Sequence, residues 1–262
     1  MAIVSFTSDE NLYLANYVYE SELVDSNLNG FKIVQLSDFH NHGNKYKNGY
    51  VYEMVKNENP DAIFLTGDLI DQFTGIENLA QLKIFFDNLI DYPIYYVEGN
   101  HEHYASHTDE FFAMLNNYSN LTILRDNAVK VEHNGSSFNL IGLKDPKAQE
   151  NDFDTDENLT RYVEPVLHQI KEGLDDELTI LLSHRPNMMD AYVRQKMDLV
   201  FSGHTHGGQI NLPLIKFFKY QSGRYDVQNT SLIVSNGIGS NGKGPIRFNC
   251  PMQLVSCTLK SK

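Results

Sequence analysis

Five short apolar segments of this chain each end in aspartate, asparagine or histidine, and this repeated layout constrains the fold more than any other feature. The segments and the residues that follow them are 31–37 with Asp38 and His40, 62–67 with Asp68, 94–99 with Asn100 and His101, 178–183 with His184, and 199–203 with His204 and His206. Short apolar runs bounded by glycine, serine and polar residues indicate buried strands. In sheets covered by helices, ligands bind at the carboxyl ends of strands. The sequence therefore predicts one sheet edge where carboxylate, amide and imidazole groups bind two borderline metal ions.

Each segment taken singly has a simpler explanation. Gly-Asp after a strand is a common turn, and the asparagine of Gly-Asn-His tolerates a left-handed conformation. A lone Ser-His is more often a hydrogen-bonded histidine than a ligand. The strongest single segment is Gly-His-Thr-His at 203–206, because side chains at i and i+2 of an extended chain point to the same side. The occurrence of all five, each ending an apolar run, favours the metal site over coincidence.

The segments between these strands predict helices and one hairpin. Apolar residues keep helical spacing over 76–90, 106–115 and 159–170, and Pro165 is expected to kink the last helix. Two strand-like runs flank the turn residues 133–136, which is a hairpin signal. Strands alternating with helices indicate an α/β fold. The acidic stretch 150–157 is typical of a solvated loop, with gating of substrate as the second interpretation.

Composition is that of an ordinary enzyme domain. The 262 residues with 41% hydrophobic content are enough for a real core, and the continuous spacing of the five segments predicts one domain over 1–262. The net charge of −13 repels polyanions and argues against a nucleic-acid duplex as a partner. Cys250 and Cys257 form no CxxC pair and are interpreted as reduced structural thiols in the cytoplasm.

The sequence gives no sign of export or membrane insertion. The apolar run 1–6 has no basic residues before it and is followed by Ser8, Asp9 and Glu10. No segment approaches the roughly 20 apolar residues that span a bilayer. We therefore expect a cytoplasmic protein without a membrane anchor, with peripheral contact to a membrane surface left open.

The glycine-rich segment 237–242 matches G-x-G-x-x-G, the dinucleotide-binding fingerprint. That fingerprint requires a following helix and an acidic residue about 20 residues further on. Here Lys243, Gly244 and Pro245 follow instead. The match therefore does not indicate an oxidoreductase, and the glycines are expected to let a loop pass close to the metal site.

Five motifs resemble the signature blocks of the calcineurin-like metallophosphoesterases: Asp38-Phe39-His40, Gly67-Asp68, Gly99-Asn100-His101-Glu102, His184, and Gly203-His204-Thr205-His206. The longer segments 67–71, 203–209, 235–239 and 245–247 are similar to a bacterial branch that includes UDP-2,3-diacylglucosamine pyrophosphatase-like phosphodiesterases. The resemblance runs from about Phe31 to the C-terminus. It implies a four-layer αββα sandwich of two mixed sheets flanked by helices.

The resemblance also implies roles for individual residues. The site would hold two divalent metal ions (Mn, Fe, Zn or Ni). The ligands of the first would be Asp38, His40 and His206, those of the second would be Asn100, His184 and His204, and Asp68 would bridge the two. His101 would protonate the leaving oxygen or stabilise the transition state, because imidazole titrates near pH 7.

Several neighbouring residues have two interpretations. Glu102 and Asp71 are candidates for orienting the ligating histidines. Arg185 and Arg247 are either phosphate contacts or surface charges. Two further histidines, His42 and His103, are either close to the substrate or solvated.

The implied function is hydrolysis of a phosphodiester, pyrophosphate or phosphomonoester bond by a hydroxide that bridges the two metals. The alternatives are a phosphoprotein phosphatase and a catalytically silent scaffold on the same fold. The motifs do not identify the leaving group of this phosphate-ester substrate, so lipid-linked and nucleotide-linked substrates both stay open, as does the oligomeric state. The apolar stretch 212–220 is either an acyl-chain groove or membrane contact, or simply core or dimer packing.

Overall fold

Twelve strands form two six-stranded sheets in the computed structural model, which describes residues 12–40, 47–146, 155–211, 217–239 and 247–262. The first sheet contains, in spatial order, β1 (Leu12–Ser21), β12 (Met252–Ser261), β2 (Lys32–Leu36), β3 (Ala62–Thr66), β4 (Ile94–Val97) and β5 (Leu121–Ile123). The second contains β10 (Gly223–Val227), β11 (Thr230–Val234), β9 (Leu199–Ser202), β8 (Thr179–Leu182), β7 (Ser136–Gly142) and β6 (Asn127–His133). Both sheets are mixed: β12–β2, β10–β11 and β6–β7 are antiparallel, and the other pairs are parallel.

Helices cover the outer face of each sheet. The α-helices in the described residues are α1 (Lys47–Glu58), α2 (Ile76–Asp87), α3 (Thr108–Leu115), α4 (Asp156–Lys171) and α5 (Met189–Arg194). One buried apolar cluster joins the first sheet to α1, α2 and α3, a second lies between the sheets, and a third joins the second sheet to α4 and α5. The predicted four-layer αββα sandwich is therefore confirmed. A single domain over 1–262 stays a prediction.

Strand β3 shows why these apolar runs become central strands. Ile63 and Leu65 pack against the helices, whereas Ala62 and Phe64 pack against the other sheet. Successive side chains of a strand point to opposite faces, so a strand buried on both faces needs apolar residues at consecutive positions. The sandwich thus accounts for uninterrupted apolar runs in place of alternating ones.

The predicted elements are confirmed apart from details of their ends. All five apolar runs form strands, and the three predicted helices appear as α2, α3 and α4. Helix α4 continues through Pro165 without interruption. The predicted hairpin is β6–β7, in which Asn134 and Gly135 have φ angles of +50° and +87°. Helix α1 was not predicted, because its sequence mixes polar and apolar residues without a clear helical stripe.

Phe64 lies between the two sheets, fully buried, with its ring 5.4 Å from that of Phe201. We expect Phe64→Ala to lower the free energy of unfolding by about 3–5 kcal/mol, because the truncation leaves a cavity in a packed core. Urea denaturation of both variants measures this. Ile84→Ala, at a position that is 54% exposed, is the control and should change it by less than about 0.5 kcal/mol. Equal losses in the two variants would contradict the described core.

Within the described ranges, no helix has both the length and the apolar content needed to cross a membrane.

Candidate metal centre

The turns that follow β2, β3, β4, β8 and β9 bring the predicted site residues together at the carboxyl ends of these strands. Three groups of side chains have candidate ligand atoms within 4.8 Å of one another: Asp38 with His40 and His206, His40 with Asp68 and His101, and Asp68 with His184 and His204. Asn100 adjoins the third group through Arg185, whose guanidinium contacts both Asn100 and His204. The structure therefore brings together all eight predicted residues, from both sheets.

Asp68 lies between two histidines from different groups. Its Oδ2 atom is 3.0 Å from Nε2 of His184 and 3.8 Å from Nε2 of His40. On one side, Nε2 of His40 is 3.0 Å from Nε2 of His206. On the other, Nε2 of His184 is 3.2 Å from Nδ1 of His204. Ring nitrogens that converge in this way around carboxylate oxygens fit divalent cations, which imidazole and carboxylate ligands bind well.

The backbone turns sharply at the site residues. Five of them adopt positive φ angles: Asp38 at 52°, His40 at 41°, Asp68 at 55°, His204 at 71° and His206 at 49°. Such conformations cost on the order of 1–3 kcal/mol each and persist only where surrounding contacts fix them. Here the amide of Asp38 donates to the carbonyl of Gly67 at 2.9 Å, and that of His40 donates to the carbonyl of Asp68 at 2.9 Å.

Two glycines leave room for the carboxylates. A Cβ atom on Gly99 would lie 2.3 Å from Oδ1 of Asp68, and one on Gly203 would lie 1.8 Å from Oγ of Ser37 and 2.3 Å from Oδ2 of Asp38. No side chain fits these positions without moving an aspartate. The glycines of the Gly-Asn-His and Gly-His-Thr-His segments are therefore required by the packing of the site.

Glu102 holds the backbone around Asp68. Its buried carboxylate accepts hydrogen bonds from the amides of Asp68 at 3.1 Å, Leu69 at 2.6 Å and Gly99 at 2.8 Å. Burial, followed by the negative charge of Asp68, raises the pKa of Glu102 to about 7. These hydrogen bonds go to the backbone, so Glu102 orients the turn that carries Asp68, whereas the sequence suggested that it orients a histidine ring.

Asp71 has the position that the sequence suggested, beside His40, one of the predicted metal ligands. Its Oδ2 atom is 3.3 Å from Nδ1 of His40. Burial lowers the pKa of His40, but the carboxylates of Asp71, Asp68 and Asp38 outweigh it and raise the pKa. This contact fixes the ring so that Nε2 faces the other site residues.

The charges of the site divide the histidines into two kinds. Burial lowers the pKa of His184, but the carboxylate of Asp68 outweighs it and raises this pKa to about 10. Burial lowers the pKa of His206 to about 3, and burial together with Arg185 holds that of His204 well below its ordinary value. Two of these rings are thus neutral at pH 7, as metal ligands must be, and binding a cation at the third would displace its proton.

His101 lies at the edge of the cluster and is only partly buried. Its amide donates to Oδ1 of Asp68 at 2.8 Å, its ring packs edge-on against that of His40 at 4.7 Å, and its Nδ1 is 3.3 Å from Oε1 of Gln72. Burial lowers its pKa. The ring therefore lies beside Asp68 and His40 with access to solvent.

Both candidate arginines are buried, so the surface-charge interpretation is wrong for each. Arg247 is 3% exposed and donates to the carbonyl of Asn236 from both terminal nitrogens and to the carbonyl of Gly239, which ties this loop to the site. Arg185 is 6% exposed and pairs with Asp145. His103 is partly buried, and His42 lies outside the described residues.

Asp145, which pairs with Arg185 beside the site, was not predicted from the sequence. It follows β7 and the apolar residue Leu143, so it has the same layout as the five segments that were singled out. The run was interpreted only as the second strand of a hairpin. The layout itself was the signal that could have identified Asp145.

A cavity of about 220 Å³ adjoins the site beside His204. It is lined by Pro186, Asn187, Thr205, Phe217, Phe218, Lys219, Tyr220 and Asp156. Phe217 and Phe218 are 55% and 46% exposed. The other part of the predicted apolar stretch, 212–216, lies outside the described residues, as do 150–154 of the predicted acidic stretch and 240–242 of the glycine-rich segment.

Comparison with known proteins gives consistent matches. Residues 31–208 match the family model described as calcineurin-like phosphoesterase. Uncharacterized metallophosphoesterases of Campylobacter jejuni and Helicobacter pylori are 32% identical over 243 residues and 33% identical over 240 residues. Each alignment covers 88% of this chain but only 59% and 60% of those proteins, so the chain spans about 60% of the length of these relatives.

A solved structure is similar in fold. The crystal structure of a dimetal phosphatase from Danio rerio matches with a TM-score of 0.51 and 13% identity, covering 80% of this chain and 88% of that one. At this identity the match supports the fold alone. The match of the family model to 31–208, most of the described residues, decides the family. The chain belongs to the calcineurin-like phosphoesterase family.

Proposed function

We propose that this chain is a metal-dependent phosphohydrolase with two metal ions. The observation that carries the proposal is the position of Asp68, whose Oδ2 atom lies within 3.8 Å of one histidine from each of two ligand groups. A carboxylate placed between two such groups would be able to hold both metal ions. The proposed ligands are Asp38, His40 and His206 for the first ion, Asn100, His184 and His204 for the second, and Asp68 for both.

When bound, a metal pair lowers the pKa of a shared water to near neutrality and neutralises charge on the phosphoryl oxygens. The protein contributes ligand orientation, through Asp71 at His40 and through Glu102 at the turn that carries Asp68. His101 would deliver a proton to the leaving oxygen. A phosphoryl anion beside its ring favours the protonated imidazole, which offsets the effect of burial on its pKa.

The bond type and the leaving group belong to the proposal as well. Phosphodiester, pyrophosphate and phosphomonoester bonds all suit the arrangement. The cavity beside His204, with its exposed Phe217 and Phe218, favours a substrate with an apolar or aromatic leaving group, either lipid-linked or nucleotide-linked. We further propose a single domain over 1–262 that works in the cytoplasm or at the surface of a membrane.

The two alternatives predict different results. A silent scaffold would have no need for a complete ligand set, and all seven proposed ligands are present. A phosphoprotein phosphatase would prefer phosphopeptides, and the similarity of 203–209 to the bacterial branch argues against that preference.

Metal analysis and a turnover panel test the proposal. We expect the purified protein to bind two equivalents of Mn, Fe, Zn or Ni, and to hydrolyse at least one member of a panel of mono-, di- and pyrophosphate esters. The panel should include lipid-linked and nucleotide pyrophosphates and a phosphopeptide. Chelation should abolish turnover, and re-addition of metal should restore it. A fully loaded protein that hydrolyses no member of the panel would support the scaffold instead.

A further inference from the structure

Arg185 and Asp145 form a buried ion pair beside the proposed metal site. Nε of Arg185 donates to Oδ2 of Asp145 at 2.8 Å, and Nη2 lies 3.4 Å from Oδ1. The two residues are 6% and 3% exposed. Burying both charges costs desolvation free energy that the pair recovers only in part, so stability alone is a weak reason for such a pair. The other contacts of the guanidinium offer a functional reason.

Those contacts are with two of the proposed ligands of the second metal. Nη1 of Arg185 is 3.0 Å from Nε2 of His204, and Nη2 donates to Oδ1 of Asn100 at 3.1 Å. His204 turns its other ring nitrogen, Nδ1, toward Nε2 of His184 at 3.2 Å. Nδ1 is thus the atom of His204 that faces the candidate ligand group, and Nε2 is the atom that faces the arginine.

Metal binding would remove the acceptor that Arg185 uses at His204. A neutral imidazole that coordinates through Nδ1 carries its proton on Nε2. Nε2–H and the Nη1–H of Arg185 are then both donors and cannot satisfy each other. The guanidinium would need a new acceptor next to the metal, while Asp145 continues to hold its Nε side. A phosphoryl oxygen meets that need, because a planar guanidinium recognises phosphate through paired hydrogen bonds.

We propose that Arg185 binds a non-bridging oxygen of the substrate's phosphoryl group, and that Asp145 is a positioning residue that holds the guanidinium for this contact. The inference rests on the proposed metal-dependent function and adds a binding residue to it. The shared chemistry is a tetrahedral phosphoryl anion, whether part of an ester or free inorganic phosphate. Asn100 keeps its contact with Arg185, since an amide oxygen has two lone pairs and can serve both a cation and a donor.

The first test is direct binding of inorganic phosphate to the metal-loaded full chain by titration calorimetry. We expect Arg185→Ala to weaken phosphate binding by about 10- to 100-fold at unchanged metal content, the usual effect of losing a hydrogen bond between charged groups. Arg185→Lys keeps the positive charge without the planar guanidinium and should lose less phosphate affinity. Arg194→Ala is the matched control, because it removes an arginine from an exposed ion pair with Glu164 and should leave phosphate binding unchanged.

The second test separates positioning by Asp145 from a general structural role. Asp145→Asn should weaken phosphate binding and raise KM for an ester substrate, with a smaller change in kcat. Combined with Arg185→Ala it should add little further loss, because Asp145 acts through Arg185. A merely structural Asp145 would lower metal content or thermal stability and add its full effect to that of Arg185→Ala.

Several results would overturn the inference. Unchanged phosphate affinity in metal-loaded Arg185→Ala would do so, as would a wild-type protein that binds metal but no phosphate. Loss of metal in both Arg185→Ala and Arg185→Lys would make Arg185 a support of the metal site instead. If Arg185→Ala does not fold, the phosphate affinities of Arg185→Lys and Asp145→Asn test the inference. Failure of the proposed function is distinct: the wild-type protein would then hydrolyse no ester, whether or not it takes up metal, whereas the inference about Arg185 is judged by phosphate binding.

Discussion

Asp68→Asn is expected to reduce metal content below two ions per chain and to lower turnover by at least about 10³-fold. The Oδ2 atom of Asp68 faces His40 and His184, so this side chain is the one proposed to join both metals. Metal ions supply several kcal/mol of charge stabilisation to such reactions, and each 1.4 kcal/mol changes the rate tenfold. Elemental analysis and steady-state kinetics measure the two effects.

Asparagine is a better replacement for Asp68 than alanine. The backbone at Asp68 has a φ of 55°, and alanine would add strain there. Asp126→Asn is the matched control: this aspartate also follows a strand, has a φ of 52° and accepts a hydrogen bond from the amide of Lys144. It should keep full metal content and turnover. Undiminished turnover of Asp68→Asn in the presence of a chelator would rule out the two-metal proposal.

His101→Gln is expected to lower turnover by roughly 10²–10⁴-fold, the range for loss of a general acid or base, while metal content stays near normal. The ring of His101 lies beside Asp68 and His40 with access to solvent, which suits proton delivery to a leaving oxygen. The loss should shrink for p-nitrophenyl esters, because p-nitrophenolate leaves without a proton. Comparing alkyl and p-nitrophenyl esters measures this difference.

A control for that experiment is His107→Gln. Nδ1 of His107 lies 3.5 Å from Oε1 of Glu110, and His107 belongs to none of the three candidate ligand groups. It should have no effect on either substrate. The structure also groups His101 with His40 and Asp68 as candidate ligands. If His101→Gln lost one metal ion, that group would be the better description and His101 would be a ligand.

Much of this fold was predictable because its strands are short, apolar and sharply ended. Burial on both faces requires consecutive apolar residues, as in β3, and the polar residues must then follow at the strand end. The clustering of the candidate metal-site residues was predictable for the same reason. The roles of Asp145 and Glu102 were not, because each depends on a partner that is distant in the chain: Arg185 lies 40 residues from Asp145, and Asp68 lies 34 residues from Glu102.

The order in which the strands pair could not be predicted from the sequence either. Periodicity predicts that a strand exists but carries little information about which strand lies beside it. The neighbours of β12 illustrate this, since it pairs in parallel with β1 and antiparallel with β2. Helix α1 was missed for a different reason: its sequence mixes polar and apolar residues, and only a few of them, such as Val51 and Val55, pack against the sheet.

The place of β12 in the first sheet has a consequence for how the chain acquires its structure. β1 and β2 are consecutive along the chain, yet β12 lies between them, with Leu12 opposite Met252 and Gln35 opposite Val255. β12 is synthesised after the other eleven described strands, so the edge of β2 that pairs with β12 stays unpaired during most of synthesis. Such long-range pairing slows folding and exposes the nascent sheet to aggregation. We therefore expect chaperones to be needed mainly by nascent chains that still lack β12.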